Sequence, residues 1–148
     1  MKNKKNKIIL IIIIINLLFV INIILTACNN NNTAKADINV NIFIKGPESV
    51  ILEEYSITVK DEDTVLTALS TACEENDIEL KYSGSGGFAY VNSIGGYKEF
   101  SNGSASGWIY MINEEKPNVG IGSKKLSDGD IIRFYFSLNL GADVVWEE

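Results

Sequence analysis

Residues 107–118 read GWIYMINEEKPN, and this stretch predicts a short strand followed by a polar turn. Side chains alternate between the two faces of a strand, so one face carries Trp108, Tyr110 and Ile112. The other face carries isoleucine and methionine side chains. Both faces therefore present bulky groups, and the aromatic face adds an indole N–H and a phenol O–H. Such a strand either lies in the middle of a small sheet or leaves one side exposed to bind a ligand.

The N-terminus predicts a targeting segment rather than part of the fold. Four lysines lie in residues 2–7, and residues 8–25 are almost entirely apolar. That length would also suit a transmembrane helix, which needs about 20 apolar residues. However, Leu25-Thr26-Ala27-Cys28 has the pattern of a bacterial lipobox, in which the cysteine thiol receives diacylglycerol before cleavage. We therefore predict a lipoprotein signal peptide over residues 1–27 and lipidation of Cys28, with an uncleaved N-terminal anchor as the alternative.

Both alternatives place the remainder of the chain outside the cell. The lipid on Cys28 would make the membrane a partner and hold the protein on its extracellular face, since two acyl chains attach a protein stably. Residues 28–36 (CNNNNTAKA) are polar and of low complexity, so we predict a disordered tether. The folded domain is predicted over residues 37–140, followed by an acidic tail over residues 141–148.

Charge and composition exclude several classes of function. The chain carries a net charge of −6, and removal of the four N-terminal lysines leaves −10, which disfavours nucleic acid as a partner. The chain has no histidine, and Cys73 is the one cysteine besides Cys28. This composition leaves no Ser-His-Asp or Cys-His catalytic combination and few zinc sites. We predict one domain with no enzymatic activity, no metal site and no cofactor.

Apolar periodicity predicts a β-hairpin and then a helix. In residues 38–44 every second residue is Ile or Val, and a similar strand resumes over residues 50–60 after Gly46-Pro47. Residues 64–76 have the apolar spacing of an amphipathic helix. Asp61 or Asp63 is positioned to cap the start of that helix.

Short strands and long connections make up the rest of the domain. Strands are predicted over residues 79–83, 88–94, 107–112 and 131–139, and in the last of these Ile132, Phe134, Phe136 and Leu138 form a core face. The Gly- and Ser-rich residues 95–106 predict a long loop, which is unusual unless functional or disordered. The tail from Gly141 is predicted to be loosely held. The element order indicates an α+β, β-grasp-like single domain, in which one helix covers one face of a mixed sheet of short strands.

Three motifs in this order resemble a known family. Residues 107–113, 117–120 and 126–130 are similar to the small bacterial surface domain that is related to the C-terminal β-domain of transcobalamin and intrinsic factor. Residues 63–69 (DTVLTAL) are similar to the helix entry of that family, and residues 86–96 to its middle strands. The resemblance covers about residues 38–140, nearly all of the predicted mature chain.

The resemblance implies a β-grasp-like fold, and it makes a corrinoid one candidate ligand. In the vitamin carriers this domain covers one face of cobalamin, while a helical domain supplies the other wall and a cobalt-ligating histidine. The present sequence has neither, and fold alone does not transfer a ligand. The Asn-Gly turn usual in the family is Asn113-Glu114 here, which changes any contact that this turn makes.

Aromatic side chains around the 107–118 stretch form the predicted ligand-binding site, because Tyr and Trp combine a large apolar area with a polar group. The predicted ligand-binding residues are Tyr90, Tyr97, Phe100, Trp108 and Tyr110, with the amides of Asn113 and Asn118 supplying specificity. The competing interpretation is that Trp108 and Tyr110 are core residues. The sequence thus predicts a non-enzymatic module that binds a corrinoid or another small molecule. The alternative is a structural or adhesive surface domain that binds a protein or a glycan.

Other reactive-looking groups have simpler interpretations. Residues 61–63 (DED) and 128–130 (DGD) offer carboxylates for calcium, but a helix cap and a tight turn explain them without an ion. Glu53-Glu54 and Glu114-Glu115 are adjacent on predicted strands or turns, so they cannot flank one bond as a catalytic pair. Cys73 lies on the apolar side of the predicted helix and is interpreted as a small buried hydrophobic residue.

Overall fold

The computed structural model describes residues 13–16 and 35–145. Residues 13–16 form a helical turn, and residues 35–145 lie within one compact unit that begins at Lys35. The rest of the predicted signal peptide, most of the tether including Cys28, and residues 146–148 of the tail lie outside the described residues. Within the described residues, no helix combines the length and the apolar character that crossing a membrane requires.

The compact unit contains seven strands and one helix of more than a single turn, as the α+β prediction requires. In chain order the elements are β1 (Asp37–Lys45), β2 (Val50–Lys60), α1 (Val65–Glu75), β3 (Leu80–Ser83), a 3₁₀ turn (Gly86–Phe88), β4 (Tyr90–Ile94), β5 (Tyr97–Lys98), β6 (Gly107–Ile112) and β7 (Ile131–Ser137).

The strands form two sheets rather than one. The first is mixed, with the order β2-β1-β7-β6, in which β1 and β7 run parallel and the other pairs antiparallel. The second is antiparallel, with the order β3-β4-β5. The expectation of a single sheet is corrected here, because β4 uses both of its edges to pair with β3 and β5. It therefore contacts β6 by packing and not by hydrogen bonding.

Alternate residues of the first sheet build the main core against α1. The predicted inward residues of β1 are all buried, as are Ile132, Phe134 and Phe136 of β7, and α1 packs its buried side chains against β1 and β2. Fully burying one large aliphatic side chain is worth about 1.5–3 kcal/mol, so this layer supplies most of the stability. The core residues that the sequence predicted correctly include Ile38, Val40, Ile42, Ile44, Val65, Leu69, Ala72, Ile132, Phe134 and Phe136.

The helix cap differs from the prediction. Thr64, with an extended backbone at φ −104° and ψ 164°, is the N-cap, and its hydroxyl accepts a hydrogen bond from the Thr67 N–H at 3.4 Å. Asp63 instead accepts from the Lys60 N–H at 3.0 Å and closes the turn after β2. Thr64 takes the role because it directly precedes the first helical residue, where a short side-chain oxygen reaches the free N–H groups.

The C-terminal segment is held, contrary to the prediction of a loose tail. β7 ends at Ser137, and Leu138 is 50% exposed rather than part of the core face. Asp143 accepts hydrogen bonds from the Ser137 hydroxyl and from the Leu138 N–H, and these bonds, led by the one from Ser137, lower its pKa. Val144 is buried in a second small core on the outer face of the first sheet, with Phe43, Met111 and Tyr135.

Residues 95–106 are organised by local turns rather than forming one long loop. Gly95 and Gly96 adopt positive φ and return the chain into the short strand β5, which pairs with β4. The Phe100 N–H then donates to the Ser106 carbonyl at 2.9 Å, closing a compact turn before β6.

A tight two-residue turn ends β6. Ile112 and Glu115 exchange backbone hydrogen bonds of 2.9 Å in both directions, and the two residues between them, Asn113 and Glu114, have φ of 48° and 72°. Two-residue hairpin turns with positive φ at both central positions favour Asn followed by Gly. Asn113 suits its position, whereas Glu114 is held in a left-handed conformation that its side chain disfavours.

Glu114→Gly should therefore stabilise the domain. We expect the free energy of unfolding to rise by about 0.5–1 kcal/mol, because the left-handed conformation costs a side-chain-bearing residue about 1–2 kcal/mol and the flexibility of glycine offsets part of the gain. Denaturant unfolding measures the change. Glu115→Gly is the matched control, since Glu115 does not have positive φ, and it should not stabilise. Equal effects of the two substitutions would contradict the turn geometry.

Candidate functional site

A cleft of about 310 Å³ opens between β6, the start of β4 and the segment over residues 116–121. Most of its lining side chains are apolar, and the buried ring of Phe134 belongs to them. The lining residues are Ala89, Tyr90, Val91, Trp108, Ile109, Tyr110, Lys116, Pro117, Gly120, Ile121 and Phe134. A second concavity of about 300 Å³ adjoins it at Pro117 and is more polar in its residues, which include Asn113, Glu115, Asn118 and Lys124.

Proline and glycine at fixed positions create the cleft. Glu115 pairs with Ile112 across the turn, but Pro117 has no N–H and so cannot extend this pairing along β6. The chain then packs against the 3₁₀ turn, where a Cβ on Gly120 would lie 2.8 Å from the Gly87 carbonyl oxygen. A Cβ on Gly122 would lie only 2.1 Å from the Gly86 oxygen, so these positions require glycine. The segment thus forms the wall opposite β6.

The ring of Trp108 lines the cleft, whereas its indole N–H is hydrogen-bonded within the fold. Trp108 is 7% exposed, and its Nε1–H donates to the Tyr97 carbonyl at 2.9 Å. Its ring meets Phe136 edge-on, with centroids 5.3 Å apart. The indole N–H is therefore occupied within the fold, and a ligand would meet only the apolar part of the ring.

Tyr110 links β6 to the opposite wall. Its hydroxyl donates to the Val119 carbonyl at 2.5 Å, and its ring stacks on Phe134 with centroids 6.0 Å apart. Burial raises the pKa of the Tyr110 phenol to about 12. The group stays protonated at neutral pH and serves as a fixed donor that holds residue 119.

Tyr90 is the most open aromatic group of the cleft, with 46% of its surface exposed. Burial, followed by a hydrogen bond to Glu99 and the charge of that residue, raises the pKa of Tyr90. Its phenol is thus kept neutral and is positioned by Glu99, which directly follows β5. Among the aromatic residues that line the cleft, Tyr90 offers the largest ring surface to a ligand.

The remaining predicted residues lie beside the cleft or away from it. Asn113 and Asn118 line the adjoining concavity, but the Asn113 amide donates to Asp130 at 2.8 Å and its oxygen accepts from the Ile131 N–H at 3.0 Å. Tyr97 is half-buried against Phe136, with centroids 6.2 Å apart, and lines neither concavity as described.

Phe100 also lies apart from both concavities, although it is 60% exposed and has a positive φ of 61°. The structure therefore brings Tyr90, Trp108 and Tyr110 together at the cleft. Tyr97 and Phe100 lie outside it.

Sequence reasoning missed one wall of the cleft. Lys116, Pro117 and Ile121 line it, and the Lys116 ammonium donates to the Gly141 carbonyl. The pattern of residues 117–122 (PNVGIG), with a proline that fixes the backbone and glycines that allow close packing, is the signal that could have indicated a shaped wall here. Nothing in the sequence indicates the contact of Lys116 with Gly141, because the two residues are far apart in the chain.

The acidic motifs and the cysteine have structural contacts. Asp128 accepts from the Asn39 N–H at 2.8 Å, and Asp130 accepts from the Ser127 N–H at 2.9 Å. Over residues 13–16 and 35–145, no three acidic or cysteine side chains converge as a metal site would need. Cys73 is buried in the core, and burial raises its pKa to about 11, so the thiol is protonated at neutral pH.

Comparison with known families agrees with this fold. Residues 62–137, just over half of the chain, match the family described as domain of unknown function (DUF4430), and the chain belongs to that family. No curated protein sequence matches it.

The solved structures that are similar to this chain include the following two. Haptocorrin in complex with Cbi is 21% identical, with a TM-score of 0.61 over 74% of this chain and 27% of the haptocorrin chain. The chain thus has the fold of a region spanning about a quarter of haptocorrin, and the transcobalamin-like fold is confirmed. A Ruminococcus gnavus protein described as a "putative metal binding protein" is 13% identical, with a TM-score of 0.49 over 68% of this chain and 96% of that one.

The burial of Trp108 and the exposure of Tyr90 predict different effects of truncation. Trp108→Ala should lower the free energy of unfolding by about 3–5 kcal/mol, because it removes a buried aromatic side chain. Tyr90→Ala should cost less than about 1 kcal/mol, as surface substitutions do. Denaturant unfolding of both variants compares them. Similar losses would contradict the assignment of Trp108 to the core and Tyr90 to the cleft surface.

Proposed function

We propose that the protein is a non-enzymatic ligand-binding module, and that its ligand binds in the cleft over β6. The observation that supports this proposal is an open apolar cleft with one exposed aromatic ring, Tyr90, beside the buried ring of Trp108 and the half-buried ring of Tyr110. Small-molecule sites typically combine apolar walls with a few fixed polar groups. Here the polar groups near the cleft are the Lys116 ammonium, which the Gly141 carbonyl holds, and the exposed amide of Asn118 in the adjoining concavity.

A corrinoid is the ligand class that we propose first. The support is the transcobalamin-like fold together with the three aromatic side chains of the cleft, Tyr90, Trp108 and Tyr110, whose rings can stack on a planar ring system. The cleft volume of about 310 Å³ is at the lower end of the roughly 300–1,000 Å³ usual for ligand sites. The cleft would therefore contact one side of a corrinoid and leave the other side to solvent or to a second protein. A smaller planar molecule would be enclosed more completely.

We also propose that the protein is a lipoprotein on the extracellular face of the membrane. The support is the sequence of residues 1–28, with its basic start, apolar run and lipobox ending in Cys28. A tether of polar residues would then separate the lipid from the domain that begins near Lys35. This arrangement would keep the cleft accessible to external ligands.

Corrinoid binding is tested by calorimetric titration of the full chain, in nanodiscs of neutral lipid, with cobalamin and with cobinamide. We expect saturable one-to-one binding. Tyr90→Ala should weaken it about tenfold, since a lost aromatic contact of about 1.4 kcal/mol changes the dissociation constant by that factor. Tyr82→Ala is the matched control, because Tyr82 is 47% exposed on the neighbouring strand β3 and does not line the cleft; it should bind as the wild type does.

Two results would contradict the corrinoid proposal. One is an absence of binding up to about 1 mM, where an affinity is worth only about 4 kcal/mol. The other is equal weakening by Tyr90→Ala and Tyr82→Ala, which would place any bound corrinoid outside the cleft.

Lipidation of Cys28 predicts the number of reactive thiols. Protein purified from membranes should react with a thiol reagent at one site per chain after unfolding, because Cys73 is then free and Cys28 carries a thioether. Folded protein should not react, since burial protects Cys73 and raises its pKa to about 11. Cys28→Ala is the control and should retain residues 1–27 in its mass. Two reactive thiols in unfolded wild-type protein would contradict lipidation.

A structural or adhesive role is the second candidate. It is supported by apolar side chains that are exposed outside the cleft, namely Phe88, Phe100 and Leu140. In that case the corrinoid titration gives no heat. Cross-linking on intact cells, through a photoreactive group introduced at Phe100, then recovers a surface protein or a glycoconjugate.

A further inference from the structure

The outer edge of β6 has open backbone groups beside the cleft. In an antiparallel pair, alternate residues direct their N–H and C=O groups toward the partner strand. The Asn113 N–H donates to the Ile131 carbonyl of the β7 side, whereas Ile112 pairs with Glu115 on the opposite side. Trp108 and Tyr110 have the parity of Ile112, so their N–H and C=O groups also point away from β7. In the part of the chain that the structure describes, β6 pairs with no strand other than β7.

The chain itself begins to cover this edge and then leaves it. Glu115 occupies the edge opposite Ile112, at the end of the tight turn. The next position that could pair with Tyr110 is Pro117, which has no N–H to donate. The segment then turns toward the 3₁₀ turn, where Gly120 and Gly122 pack closely. Among the described residues, Trp108 and Tyr110 therefore have no partner strand at this edge. They form a two-residue gap beside the Ile112–Glu115 pair.

The surroundings of the gap favour a basic and apolar partner. Glu114 and Glu115 are exposed at one end of β6, and the half-buried Glu99 lies near the other end, in contact with Tyr90. The net charge of the whole chain is negative. Two cations lie nearby: the Lys116 ammonium is engaged by the Gly141 carbonyl, and Lys124 lines the adjoining concavity. Between the acidic ends lies the apolar cleft, whose residues Trp108 and Tyr110 belong to the same stretch of β6.

We propose that the β6 edge binds an extended, basic peptide segment of a protein partner as an added strand. The N–H and C=O groups of Trp108 and Tyr110 would supply up to four backbone hydrogen bonds, one apolar side chain of the peptide would enter the cleft, and flanking lysine or arginine residues would face Glu99 on one side and Glu114 and Glu115 on the other. Strand addition of this kind takes its affinity from the backbone and its specificity from side-chain pockets. The inference goes beyond corrinoid binding and does not require it.

Hydrogen exchange of the full chain in neutral nanodiscs tests the proposal. The probe is the capped peptide acetyl-Lys-Thr-Val-Phe-Val-Thr-Lys-amide, at concentrations up to millimolar. We expect it to slow exchange in residues 107–112 at least fivefold, with no change in β2, whose outer edge also has no neighbouring strand among the described residues. Unchanged exchange in residues 107–112 at millimolar peptide would overturn the proposal.

Two N-methylated peptides are the matched controls. In each, alternate amides are methylated, so that one peptide loses the hydrogen bonds of one edge and the second peptide those of the other edge. One of the two should bind at least tenfold more weakly, whereas the second should bind like the parent peptide. Equal binding by all three peptides would overturn strand addition.

Charge is tested separately. A triple variant carrying Glu99→Gln, Glu114→Gln and Glu115→Gln should weaken binding of the lysine peptide by about threefold to tenfold, and a peptide with glutamates in place of the lysines should not protect residues 107–112. Equal protection by the glutamate peptide would overturn the basic partner. Because no corrinoid enters these measurements, their failure is distinguishable from failure of corrinoid binding.

Discussion

The structure depends on β7 being buried on both faces. It pairs with β1 on one side and β6 on the other, and its residues from Ile132 to Ser137 are all buried. Because β7 is buried on both faces, each face needs a layer of structure packed against it. On one face, Phe134 and Phe136 meet the main core and the aromatic rings of β6. On the other face, Val144 packs in the small core that includes Tyr135, and hydrogen bonds from Ser137 and Leu138 to Asp143 hold residues 141–145 in place.

The cleft is a consequence of how the core face of β7 is covered. α1 lies over β1 and β2, so the part of the sheet formed by β6 and β7 is covered by the second sheet and by residues 116–126. That cover is incomplete, because Pro117 diverts the chain from β6 and the glycines at 120 and 122 bring it onto the 3₁₀ turn. The same backbone restriction therefore opens both the apolar cleft and the β6 edge. A ligand in the cleft and a strand at the edge would contact the same two residues, Trp108 and Tyr110, through different groups.

The candidate site was predictable in part. The aromatic alternation of residues 107–112 identified Trp108 and Tyr110, and Tyr90 was among the aromatic residues expected around that stretch; all three line the cleft. The sequence did not indicate that the indole N–H of Trp108 and the hydroxyl of Tyr110 are hydrogen-bonded within the fold. The Trp108 N–H reaches the carbonyl of Tyr97, and the Tyr110 hydroxyl reaches the carbonyl of Val119. Backbone carbonyls are present in every residue, so a sequence cannot indicate which one a side chain will meet.

The sequence by itself determined the α+β class, the hairpin, the helix and the inward residues of β1 and β7, because period-two and helical spacing of apolar residues follow directly from the geometry of strands and helices. It also determined the turn at Asn113, whereas the close approach of Gly120 and Gly122 to the 3₁₀ turn emerged only from the structure. Only the tertiary structure decided that the middle strands form a separate sheet, that Thr64 rather than an aspartate caps α1, and that the tail covers β7. These outcomes depend on contacts between residues far apart in the chain, where burial and hydrogen-bond satisfaction outweigh local preference.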